Sequence, residues 1–122
     1  MTPGVDQIRE RVNGDDALVR RGRYVSLAFL LGVGDQEYVV TIAQGRVASV
    51  EPRRLATMTG RFTIRAARPV WEEFWKPVPK RDHHDLLSML AAGIAKIDGD
   101  LLPLMQNLQY FKDVLATPRG EG

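Results

Sequence analysis

Apolar and polar positions along this 122-residue chain change period several times, and each change marks an element. Over residues 5–19, Val5, Ile8, Val12 and Leu18 recur near helical spacing, with Asn13-Gly14-Asp15-Asp16 as an interruption. Over 23–33 the period drops to two, so Val25, Leu27, Phe29 and Leu31 share one face of a half-buried strand. Gly34-Asp35 turns the chain, 37–43 supplies Tyr38, Val39, Val40 and Ile42, and Gln44-Gly45 makes a tight turn into 46–50. Three antiparallel strands in a meander follow.

Residues 61–67 alternate again, Phe62, Ile64 and Ala66 opposing Thr63 and Arg65. Pro69 ends that pattern and suits a helix start, where its missing N–H would have no intrahelical partner. Trp71, Phe74 and Trp75 then stand at i, i+3 and i+4 within 70–76, on one helical face, before Pro77 and Pro79 stop the helix. The polar stretch 80–85 leads into a helix carrying Leu86, Leu87, Met89, Leu90 and Ala91, with Asp82 as its cap and Gly93 as its close. A last strand at 94–97, a turn at Asp98-Gly99 and a cap at Asp100 introduce the final helix. There Leu101, Leu104, Met105, Leu108, Phe111 and Leu115 form one apolar face for about four turns. The chain therefore predicts an α+β fold, a five-stranded mainly antiparallel sheet covered on one face by helices. Residues 1–122 read as one domain, with a helical arm at 1–22, a core at 23–116 and a disordered tail at 117–122.

Composition narrows the chemistry. The absence of cysteine excludes disulfides, thiolate metal sites and thiol nucleophiles. No cationic-then-apolar leader opens the chain, and apolar runs such as 27–33 fall far short of the ~20 residues of a membrane span. A soluble, cytoplasmic protein is the expectation. The net charge of +2 conceals a lopsided distribution: Arg46, Arg53, Arg54, Arg61, Arg65 and Arg68 share their stretch with one acid, Glu51. Clustered guanidinium groups attract phosphate, which suggests transient contact with a membrane surface. Nucleic acid is disfavoured, because only Phe62 supplies a ring there and Gly60-Arg61-Phe62-Thr63-Ile64 lacks the later aromatics of an RNA-recognition strand. A solvated sheet face is the simpler reading.

Candidate catalytic groups do not assemble along the chain. His83 and His84 are adjacent, and on a helix adjacent residues diverge by roughly 100°, so they do not grip one ion as an i, i+4 pair does. Glu72 and Glu73 are paired carboxylates of the type used in acid–base chemistry, but as neighbours they too point apart. Gly32-Val33-Gly34 lacks the third glycine of a dinucleotide fingerprint and reads as a hairpin turn. Asp98-Gly99-Asp100 lacks the later glutamate of a calcium loop. No metal, cofactor or catalytic residue is expected. What remains is the concentration of large apolar side chains after Pro69.

At Ile97-Asp98-Gly99-Asp100, followed by Leu101, Leu104, Leu108 and Phe111, the chain resembles the closing segment of the sterol-carrier-protein-type lipid-binding domain. The order of elements over roughly 23–116 agrees with that family. The resemblance implies an apolar tunnel between sheet and helices that takes sterols, fatty acids or other lipids by shape and desolvation. On that reading Trp71, Phe74 and Trp75 line or gate the pocket. Leu90, Leu104, Met105, Leu108 and Phe111 form its wall, with Phe29 and Leu101 as further contacts. The segment 71–85 is bulkier than the family pattern and would narrow the tunnel mouth. No peroxisomal Ser-Lys-Leu ending is present. Two rivals stand beside the carrier: a small α+β enzyme using Glu72, Glu73, His84 or Asp85 on a hydrophobic substrate, and an interaction module or homodimer built on the Trp71 face.

Overall fold

The computed structural model describes residues 4–119. Its first helices, α1 (Val5–Asn13) and α2 (Asp16–Arg21), part at the expected interruption. Asp15 Oδ1 accepts from the Leu18 N–H at 3.1 Å, which supplies α2 with the partner its first turn lacks. Val5, Ile8 and Val12 form the buried stripe of α1, which packs on the outermost strand of the meander. That meander comprises β1 (Leu27–Val33), β2 (Gln36–Ala43) and β3 (Arg46–Pro52), paired antiparallel as expected.

The chain then returns past β1 to form β4 (Phe62–Ala66), and with β5 (Ala95–Gly99) beyond it the order is β3-β2-β1-β4-β5. β4 runs parallel to β1, the one parallel pair in an otherwise antiparallel sheet. The return is held by the Arg61 N–H donating to Ala28 O at 2.7 Å. Beside it Gly60 lies so close to β1 that a Cβ would stand 2.6 Å from Phe29 Cα, so only glycine fits. After β4 come α3 (Arg68–Phe74), α4 (Leu86–Ala91), β5 (Ala95–Gly99), α5 (Leu102–Gln106) and α6 (Leu108–Ala116). Pro69 sits in the first turn of α3, as its chemistry requires. Phe29, Leu31, Val40 and Ile64 on the inner sheet face meet Ile8, Val12, Trp71, Met89 and Phe111 in one buried core.

Three expectations are corrected. The final helix is not continuous: it breaks at Asn107, whose backbone leaves the helical region at φ −127°, ψ 34°. Asn107 Nδ2 donates to Pro103 O at 3.0 Å, taking the acceptor that the backbone N–H four residues on would use, and that N–H reaches Leu104 O instead. The cap of α4 is Asp85, which accepts from the Leu87 N–H at 3.0 Å, whereas Asp82 adopts a left-handed φ of 69° in the preceding turn. The last strand is Ala95–Gly99 rather than 94–97, because its antiparallel register against β4 carries Gly99 opposite Phe62.

Candidate functional site

Two aromatic groups fill the space between sheet and helices. Phe29 and Phe62 stack with centroids 5.2 Å apart, and Phe111 of α6 meets both edge-on at 5.7 and 5.3 Å. Trp71 stacks on Trp75 at 5.4 Å and meets Phe74 edge-on at 5.5 Å. Both indole N–H groups are buried and paired: Trp71 Nε1 donates to Gly32 O at 2.8 Å and Trp75 Nε1 to Leu115 O at 2.9 Å. These bonds tie α3 to β1 on one side and α6 on the other. Swinging either ring would strand a buried donor and acceptor at a cost of about 1–3 kcal/mol.

The residues expected to line a ligand site divide into two sets. Phe29, Trp71, Phe74, Trp75, Leu104 and Phe111 come together in the core, with Leu90 and Leu108 half-buried against them. Leu101 and Met105 instead face outward, 39% and 49% exposed, beside Leu102 at 62%. Leu102 was not among the expected residues. The signal for it was the run Leu101-Leu102-Pro103-Leu104, since one helical face does not bury neighbours that diverge by roughly 100°.

The polar candidates do not converge. Glu72 is exposed. Glu73 accepts from Lys76 Nζ at 3.0 Å and from the Lys80 N–H at 3.1 Å, and the Lys76 hydrogen bond above all holds its carboxyl below the ordinary carboxylate value. Asp85 is engaged as the α4 cap and by Lys112 at 3.0 Å, while His84 is exposed. Among the described residues no group of three or more histidines and carboxylates is placed to hold a metal ion. Nor is any helix there long and apolar enough to cross a membrane.

Folding draws the arginine run apart. Arg53 and Arg65 both hold Glu37, at 2.9 and 3.4 Å, and Arg61 pairs with Asp100 at 3.3 Å. Arg46 lies at the β2–β3 turn, whereas Arg68 follows β4 beside Gly34, at the other end of β1. Arg54 is exposed in the return segment.

Two of the surface cavities lie beside the layer formed by α3, α4 and α6. One, of about 330 Å³, lies where the β1–β2 turn meets Ala66, Ala67 and Ile94. The other, of about 250 Å³, lies between α6 and the entry to α4, with Phe74, His84, Leu86 and Arg119 in its wall. Arg119 closes the described chain over Phe74, its guanidinium 4.8 Å from the ring centroid. Nothing in the sequence marks this lone cation after Pro118. Residues 120–122 of the expected tail lie outside the described residues.

The architecture is that of the sterol carrier proteins. The crystal structure of sterol carrier protein 2 matches 100% of this chain and 98% of its own length, with a TM-score of 0.76 at 15% identity. The solution structure of sterol carrier protein domain 2 of Helicoverpa armigera matches 97% of this chain and 88% of its own, at TM-score 0.62 and 14% identity. A UbiJ-SCP2 ubiquinone synthesis protein matches 93% of this chain and 90% of its own, at TM-score 0.60 and 14% identity. The chain thus has the sterol-carrier-protein-type fold that its order of elements suggested. No family model and no curated protein sequence matches it.

Proposed function

We propose that this cytoplasmic protein binds a hydrophobic ligand, a sterol, fatty acid or other lipid, between its sheet and helices, and carries it without a chemical step. The observation that carries this reading is the apolar rim at α5, where Leu101, Leu102 and Met105 face outward at the edge of a fold shared over full length with sterol carrier proteins. Exposed large apolar groups in contiguity mark a surface that meets lipid or protein. Phe29, Trp71, Phe74, Trp75, Leu90, Leu104, Leu108 and Phe111 are the contacts for the ligand's body, and Leu101 and Met105 guide its entry. Because rings fill the interior, entry requires α5 and α6 to shift from the sheet. Roughly ten methylenes buried there would contribute about 8 kcal/mol gross, enough to offset such a rearrangement. Arg46, Arg54 and Arg68, which have no ion-pair partner among the described residues, supply transient contact with acidic head groups during loading.

Native mass spectrometry of protein purified from cells, together with displacement of a fluorescent acyl probe, tests this. Co-purified lipid and saturable displacement are expected. A folded sample with neither would overturn the reading. The same rim also suits a homodimer seam, which concentration-dependent sedimentation would reveal.

A further inference from the structure

The smaller cavity, between α6 and the entry to α4, has polar features that an apolar ligand alone leaves unused. Phe74, Leu86 and Ala116 form its apolar wall, and the first two belong to or abut the buried helical layer. Its acids are already engaged: Asp85 by Lys112 at 3.0 Å, and Asp113 by Arg21 and by Gln109 Nε2, the latter at 2.9 Å. Arg119 is different. Among the described residues it has no carboxylate partner, and its Nε and Nη2 donate only to the carbonyls of Phe74 and His84, each at 3.0 Å.

The root of this side chain is fixed as well, since Arg11 Nη1 donates to Thr117 O at 3.1 Å and Arg119 O at 3.3 Å. Arginine carries five N–H donors in a rigid fork. Two of them reach these carbonyls, and the remainder include the whole of Nη1, in the geometry that matches a carboxylate. Partial burial lowers the pKa of Arg119, the direction expected for a cation whose water has been replaced by carbonyls and a ring but not by an anion.

We propose that this cavity holds the carboxylate head group of an amphiphilic ligand, with Arg119 as the recognising residue and the chain running along Phe74, Leu86 and Ala116. The inference rests on the lipid-binding reading above and adds to it a preference for anionic over neutral lipids. The engaged pairs Lys112–Asp85 and Arg21–Asp113 keep the other charges of the cavity balanced, so a bound carboxylate meets one uncompensated cation and not a net negative wall.

The test compares binding of hexadecanoic acid and hexadecanol by displacement of the same acyl probe, with acetate as a chainless carboxylate. Wild-type protein is expected to bind the acid about tenfold or more tightly than the alcohol, the worth of one charge-assisted pair. Acetate at matching concentrations should displace nothing. Arg119→Gln should abolish the preference, read as the ratio of acid to alcohol affinity within the variant, and Arg81→Gln, an exposed control, should leave that ratio unchanged. Equal affinity for acid and alcohol in the wild type, or a preference that survives Arg119→Gln, overturns the head-group site and leaves lipid binding standing. Binding of neither ligand overturns lipid binding itself. Should Arg119→Gln not fold, a carbon-13 carboxyl label on the bound acid decides in the wild type: titration well below its value in neutral micelles supports the site, and an unshifted or raised value overturns it.

Discussion

Beneath α6, Phe29, Phe62 and Phe111 meet with centroids 5.2 to 5.7 Å apart and none of the three is exposed to solvent, whereas on α5 Leu101, Leu102 and Met105 lie open. Both regions are apolar, and Phe111 of the first lies only a few residues along the chain from the second. The difference comes from the break at Asn107. The break lets α6 dock through Phe111 while α5 buries Leu104 and leaves Leu101, Leu102 and Met105 outward. One region is buried core and the other is the exposed rim proposed above to meet the ligand.

The strongest challenge to that contrast is a pair of alanine variants. Phe111→Ala removes the ring wedged against Phe29 and Phe62 and should cost about 3–5 kcal/mol in urea unfolding. Met105→Ala should stay within about 0.5 kcal/mol while weakening probe binding. A Phe111→Ala cost below about 1 kcal/mol would mean that the interior is already loose, and the contrast would fail. Next in size is Trp71→Phe, which leaves Gly32 O without its donor and should cost about 2 kcal/mol by the same measurement. A neutral outcome would free the indole to act as a gate.

Tyr110 sharpens the interior side. Its hydroxyl donates to Gly45 O at 2.7 Å, and burial pushes its pKa from 10.0 up to about 12. Because the folded value lies above the unfolded one, the protonated hydroxyl's contribution is complete below pH 10 and is lost as pH rises toward about 12. Unfolding free energies across that window should fall by on the order of 2 kcal/mol, and Tyr110→Phe should flatten the slope. A slope unchanged in the variant would assign it to another group. Smallest is the effect at Glu73, whose lowered pKa makes its contribution present above the ordinary 4.5 and lost as pH falls through the folded value. Lys76→Gln should move the Glu73 carboxyl back toward 4.5 in an NMR titration, with little change in stability. No movement would remove Lys76 as the cause.

Much of the architecture is legible in the residues because it is locally encoded. The alternation of Phe62, Ile64 and Ala66, the turns at Gly34 and Gly45, and Pro69 at a helix start each depend on a few neighbours in sequence. The side-by-side placement of β1 and β4 is not legible in that way, since it depends on Gly60 fitting against the backbone of Phe29 across the sheet. Of the candidate site, the buried aromatic residues were visible as a helical stripe. The outward turn of Leu101 and Met105 was not, because it follows from a side-chain amide outcompeting a backbone N–H at one residue. Arg119 was invisible for the same kind of reason: its surroundings come from Phe74 and His84, 45 and 35 residues away.

By itself, then, the sequence determined the order of helices and strands, the α+β class and the exclusion of thiol chemistry, all consequences of residue type and short-range period. Only the tertiary structure decided which apolar residues became core and which became rim, which arginines were neutralised by Glu37 and Asp100, and where one cation was left facing a cavity. The reason is that periodicity assigns a side chain to a face of its own element. What that face meets is settled only when elements distant in the chain compete for the same apolar surface and the same carboxylates.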